Sequence, residues 1–146
     1  MTLVAYTDGA SRGNPGDSGV GVIVKDERGT VVLSLNGYIG TATNNIAEYT
    51  ALITLLERMS GLSCSRLIVH SDSELMVRQV NGKYKVRDRK LKLFHARVLE
   101  LRSALPFAME MRYVPRTENR DADRLANLGI ESREPLPHVG SSGPRV

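Results

Sequence analysis

Apolar and polar positions along the chain change period several times. Residues 3–7 form a short apolar run, and residues 20–25 and 30–35 are β-branched runs separated by Asp26-Glu27-Arg28-Gly29. This pattern predicts a strand followed by a hairpin, so that three antiparallel strands occupy the first forty residues. From Asn44 the period becomes helical: Ile46, Tyr49, Leu52, Ile53, Leu56 and Met59 fall on one face, Thr43 or Asn44 can cap the start, and Gly61 closes the end. Residues 66–71 (RLIVHS) read as a strand ending at Asp72, and residues 73–80 as a helix stopped by Asn81-Gly82. A longer helix is expected over 89–104, with Leu91, Phe94, Val98, Leu101 and Leu105 on one side and basic residues mostly off it. Phe107, Met109, Met111 and Tyr113 alternate as a fifth strand. After Pro115 a last helix takes in Ala122, Leu125 and Ala126 and is expected to stop at Gly129. The order βββαβ, two helices, then βα predicts an α/β fold, a five-stranded mixed sheet flanked by helices, with the strand at 66–71 parallel to the first. Residues 1–130 form the expected domain, and residues 131–146, with three prolines, a flexible tail.

At 146 residues and 41% apolar composition, the chain has room for one domain with a substantial core. No apolar run approaches the roughly 20 residues of a membrane span, and the first residues lack a secretory pattern. A soluble, cytoplasmic protein without a membrane partner is expected. The single Cys64 permits neither an internal disulfide nor a thiolate metal cluster, so any metal must rest on oxygen or imidazole ligands. The net charge of +4 is unevenly spread: residues 78–102 hold nine basic side chains and only two acidic ones. Such a segment attracts phosphate, although a solvated helical face would read the same way.

The acids supply the candidate chemistry. Asp8 follows the first apolar run and precedes a loop containing Gly9, Gly13 and Gly16, in the stretch TDGASRGNPG. The loop lacks the Lys-Ser/Thr ending of a P-loop, so the expectation is a displayed carboxylate beside a flexible polar turn. Asp72 ends a second strand that can neighbour the first, where open α/β sheets bind ligands. Glu48 lies in the first turns of the first helix and Asp123 near the start of the last. Singly each acid reads as a cap or a surface charge. Brought together they would repel one another and require cations, and hard oxygen ligands favour Mg²⁺ or Mn²⁺.

TDGASRGNPG, TNNIAEYTAL, VHSDSELMVRQVNGKYKV and VPRTENRDADRLAN resemble, in order and spacing, the successive motifs of type 1 ribonuclease H across residues 3–129. The resemblance implies a ribonuclease H-like fold and an endonuclease that hydrolyses the RNA strand of an RNA/DNA hybrid, leaving 5′-phosphate and 3′-hydroxyl ends. Carried over by motif, the catalytic and metal-binding acids are Asp8, Glu48, Asp72 and Asp123. The ADRLA context selects Asp123 over Asp121, which lies about 200° away around a helix. Two Mg²⁺ ions, with Mn²⁺ as substitute, would flank the scissile phosphate. Asp8 is expected to bridge them, with Glu48 on the leaving-group side and Asp123 on the water side.

RNA choice requires reading the 2′-hydroxyl. By resemblance Gly9, Ala10, Ser11, Asn14, Asn45, Glu48 and Glu74 would touch RNA, while Arg12, Thr43 and Asn44 would meet the DNA strand. Capping by the asparagines is compatible with such contacts. Lys83, Lys85, Arg87 and Lys90 are expected to form a phosphate-binding surface in place of the longer basic handle of some bacterial members. Without tryptophan, backbone contact is favoured over base stacking. The family's loop histidine before the last acid is missing, as in the shorter archaeal-like branch, and Arg116 or Glu118 stands where it would act. His70, His95 and His138 read as structural or exposed. The partner implied is an RNA/DNA hybrid, with double-stranded RNA also admitted, bound by a monomer. Two other readings remain open: a hybrid-binding module without catalysis, and a metal nuclease of the same fold acting on double-stranded RNA or RNA–DNA junctions.

Overall fold

The computed structural model describes residues 1–137 and contains β1 (Thr2–Arg12), β2 (Gly16–Lys25), β3 (Val31–Ala42), α1 (Asn44–Arg58), β4 (Arg66–Ser71), α2 (Glu74–Val80), α3 (Arg89–Ser103), β5 (Ala108–Tyr113) and α4 (Arg120–Ser132). The strands form one sheet in the order β3-β2-β1-β4-β5. β1 pairs antiparallel with β2 and parallel with β4, as the crossover through α1 requires. His138 and the rest of 138–146 lie outside the described residues.

Alternation along β1 and β2 gives the sheet two unlike faces. On one, Leu3 and Ala5 of β1, Val22 and Val24 of β2, and Leu67 and Val69 of β4 join Tyr49, Leu52, Leu55 and Leu56 of α1 in the main core. Leu91 and Val98 of α3 close that core from outside. On the other face α4 lies against β2 and β3, its buried stripe being Ala122, Leu125, Ala126, Gly129 and Ile130. The chain approaches so closely there that a Cβ on Gly21 would stand 2.3 Å from the Ala122 carbonyl oxygen.

Three expectations are corrected. β1 does not end before Asp8: pairing with β2 continues through Asp8↔Gly21 to Arg12↔Asp17, so backbone hydrogen bonding outlasts the apolar pattern. The last helix does not stop at Gly129. That glycine packs on the Gly37 backbone, and the helix runs on to Ser132, ending at Arg133 with φ 57°. Of the segment expected as tail, Glu131 and Ser132 are helical, and the Glu134 carbonyl accepts the Tyr38 amide at 2.7 Å along β3.

Candidate active site

The acids gather where β1 and β4 part company. Parallel pairing ends at Tyr6↔His70, leaving Asp8 beside a gap in the sheet and Asp72 one residue beyond the end of β4. α1 brings in the third acid. Its start is fixed by the Thr43 hydroxyl, which accepts the Ile46 amide, and by the Asn14 side chain, which accepts the Asn44 amide at 3.0 Å. The helix can then pass directly over β1 because residue 9 is glycine: a Cβ there would sit 2.2 Å from the Ala47 carbonyl carbon. Glu48 follows at once, and its carboxylate accepts the Gly9 amide at 3.0 Å.

One ligand atom from each of Asp8, Glu48 and Asp72 lies within 4.8 Å of the others. Asp8 is 3% exposed and Glu48 8%, so the carboxylate expected to be displayed is in fact buried. Continued pairing with β2 and the cover of α1 explain the difference. Burial, and then the charges of Asp72 and Asp123, push the Asp8 carboxyl up from 3.8 to about 8. Burial also raises Glu48 well above the usual range, with Asp8 and Asp72 adding to it; the Gly9 amide and Arg116 pull the other way. Asp8 Oδ2 is buried with no hydrogen-bond partner. An unsatisfied acceptor costs about 1–3 kcal/mol. An all-oxygen donor set, mutual repulsion and an orphaned carboxylate oxygen together fit a hard divalent cation held by Asp8, Glu48 and Asp72.

Asp123 stands just outside that group of three. Its charge reaches Asp8, while its own carboxylate lies 3.7 Å from the Arg116 guanidinium and accepts a hydrogen bond from Asn127 Nδ2 at 3.3 Å. Asp121, two residues earlier, is turned away to Lys25 and Arg124. Arg116 is the cation nearest the acids and is 76% exposed in its side chain, whereas Glu118 does not line the cleft.

The acids open into a cleft of about 490 Å³ that includes Gly9 to Arg12, Asn44, Asn45, Ser73, Tyr113, Arg116 and Asn127. Within it some expected substrate groups are already engaged. The Ser11 amide donates to Asn44 Oδ1, and Arg12 bonds Asn127 and Glu131, tying the end of β1 to α4. Glu74 is bound by Arg78 and lies outside the cleft. Lys83, Lys85 and Arg87 belong to the loop 81–88 and not to a helical face, because Gly82 at φ 78° breaks the chain after α2; Lys90 lies in the first turn of α3. These basic side chains line two neighbouring hollows that share Asn45.

Two asparagines of the site were not anticipated as members of it. Asn119 precedes α4 in the N-cap position yet makes no side-chain cap. Its Nδ2 donates to the Thr7 carbonyl at 2.9 Å and to Asp72 Oδ2 at 3.1 Å. Asn127 bonds Asp123 on one side and Arg12 on the other. Only the i, i+4 spacing from Asp123 could have suggested it.

Three acids clustered where two central strands end, a basic flank and helices on both faces define the class of protein described as reverse transcriptase-like, whose family model matches residues 6–129. Within that class, the chain belongs to the type 1 ribonuclease H family. It is 39% identical over 133 residues to a bifunctional protein of Mycobacterium tuberculosis, a match covering 90% of this chain and 36% of that one. It is 38% identical to ribonuclease HI of Halobacterium salinarum, covering 87% of this chain and 63% of the relative. The chain thus spans about a third of the first relative's length and under two thirds of the second's. Among solved structures, LC11-RNase H1 in complex with an RNA/DNA hybrid superposes with a TM-score of 0.85 at 39% identity, covering 89% of this chain and 97% of that one. No helix among the described residues is long and apolar enough to cross a membrane.

Proposed function

We propose that this chain is an endoribonuclease that hydrolyses the RNA strand of RNA/DNA hybrids, leaving 5′-phosphate and 3′-hydroxyl ends. The carrying observation is the set of Asp8, Glu48 and Asp72 within 4.8 Å, with Asp8 Oδ2 unsatisfied, at the floor of an open cleft. Asp8, Glu48, Asp72 and Asp123 are the catalytic acids, and they would hold two Mg²⁺ ions, or Mn²⁺ in substitution. When bound, the ions lower the pKa of the attacking water and neutralise charge on the departing 3′-oxygen.

The rest of the site works by placement. Glu48 is fixed by the Gly9 amide and Asp72 by Asn119, so neither must reorganise as charge develops. Arg116, beside Asp123 on the open side, offers a cation to the scissile phosphate where the family's loop histidine is missing. The cleft edge from Gly9 to Arg12, with Asn14, Thr43, Asn44 and Asn45, receives the hybrid backbone. Lys83, Lys85, Arg87 and Lys90 attract the phosphates farther along it. The working unit is a monomer of one domain, which extends past the expected boundary at 130 to take in the end of α4 and the stretch packed on β3, and its similarity to a structure holding a hybrid supports that substrate.

The test is a labelled hybrid compared with RNA/RNA and DNA/DNA duplexes, incubated with Mg²⁺, Mn²⁺ or chelator. Metal-dependent cleavage of RNA only in the hybrid, with 5′-phosphate ends, is expected. Binding without cleavage in either metal would make the chain a hybrid-binding module, and equal cleavage of RNA/RNA would reassign its substrate.

A further inference from the structure

We propose that Asn119 is a positioning residue for Asp72: its side-chain amide holds one carboxylate oxygen of Asp72 and ties it to the strand bearing Asp8, leaving the other oxygen for the cation. The proposal rests on the reading of Asp72 as a metal ligand.

Three observations carry it. Asn119 occupies the position before α4 where an asparagine normally accepts an amide of the first turn, yet its side chain makes no cap. It reaches across the sheet instead, spending both amide hydrogens on the Thr7 carbonyl and Asp72 Oδ2. These two acceptors come from β1 and from the turn after β4, the two segments whose separation sets the distance between Asp8 and Asp72. The second observation is its orientation. Both neighbours accept hydrogen bonds, so only the amide nitrogen can face them, and Oδ1 is left buried without a partner. A flipped amide would set its oxygen against a carbonyl and a carboxylate. The third is its burial: at 1% exposure Asn119 touches neither solvent nor a nucleic acid in the cleft, so it can act only through the groups it binds. Partners of this kind fix the direction of a ligating carboxylate, and their loss typically weakens metal binding by about 10–100-fold.

The experiment uses the full chain, without substrate for the binding measurements and with labelled hybrid for the rates. Mn²⁺ binding is measured by calorimetry for the wild type, Asn119→Ala and the milder Asn119→Ser, with melting in chelator to show which variants fold. A rise in Kd of about 10–100-fold is expected. The KM for hybrid should stay unchanged, and excess Mg²⁺ should restore most of the rate. Unchanged Mn²⁺ affinity in a folded variant overturns the proposal, as does a loss of rate that excess Mg²⁺ fails to relieve. Should neither variant fold, the wild type still decides: the Asn119 side-chain amide resonances should follow Mg²⁺ on the binding isotherm, and resonances that stay in place overturn the assignment. Asp72→Asn serves as companion. If it keeps wild-type Mn²⁺ affinity and hydrolysis, Asp72 itself is misassigned and the proposed chemistry falls, a result distinct from failure of Asn119 alone.

Discussion

The inner and outer acids of the cleft are built in opposite ways. Asp8 and Glu48 are buried, belong to a strand and a helix that touch through Gly9, and sit well above the normal carboxylate range. Asp72 and Asp123 are half-exposed, lie in the turn after β4 and the first turn of α4, and are each steadied by an asparagine. The inner pair is therefore strained without a cation and fixed by backbone packing. The outer pair is solvated and fixed by side chains. The folding-energy cost of gathering the acids is therefore concentrated in the inner half.

The largest effect should come from the inner half. Asp8→Asn is expected to cut hybrid cleavage by about 10³-fold or more while leaving the fold intact, since it removes several kcal/mol of cation-dependent stabilisation; a folded, fully active variant would place the chemistry elsewhere. Next is Gly9→Ala, whose added methyl meets the Ala47 and Glu48 backbone at 2.2 to 2.3 Å. Overpacking of this kind costs about 1–3 kcal/mol, so the melting temperature should drop, and activity should fall further than stability because Glu48 is displaced.

Asp123→Asn, by contrast, should lose only about 10–100-fold, in the range of residues that tune a metal site. A loss matching that of Asp8→Asn would erase the distinction between the halves.

The fourth prediction concerns pH. Because the folded state raises Asp8 from 3.8 to about 8, it binds that proton more tightly than the unfolded chain does. Its contribution to stability is fully present below about pH 4 and lost as pH rises through about 8. In chelator the wild type should thus lose on the order of a few kcal/mol across that window. Asp8→Asn should reduce the pH dependence to the part contributed by the buried Glu48, and Mg²⁺ should restore the lost stability, as thermal melts would show. The smallest effect on chemistry belongs to the basic loop. Replacing Lys83, Lys85 and Arg87 by alanine should raise KM and reduce the salt slope of binding by about 2–3, with kcat unchanged.

The same division explains what could be read in advance. The order of elements along the chain and the main core follow from alternation and helical spacing, because those signals depend on burial alone, and the parallel partner of β1 follows from the helix that crosses between them. Glu48 and Asp123 fall on helices with clear apolar faces, so their placement near Asp8 was visible in outline. The burial of Asp8 was not: polar and glycine residues from Asp8 to Arg12 look like a loop, yet their backbone pairs with β2 throughout. Asn119 was hidden for another reason, since its local sequence signals a cap and its actual partners lie 112 and 47 residues away. The basic excess was legible as charge, but its seat in the loop 81–88 depends on a break at Gly82 that charge counting does not address.

The short stretch after α4 has its own consequence at the far edge of the sheet. β3 is an outermost strand of twelve residues, long enough to invite pairing with a second chain. Tyr38 gives its amide to Glu134 and bridges to Pro135, while Arg133 stacks on the Tyr38 ring and pairs with Asp17. The middle of that open edge is thereby occupied, and the exposed Pro135 that bridges to it has no N–H to offer a newcomer. The stretch after α4 thus guards an exposed strand against edge-to-edge aggregation.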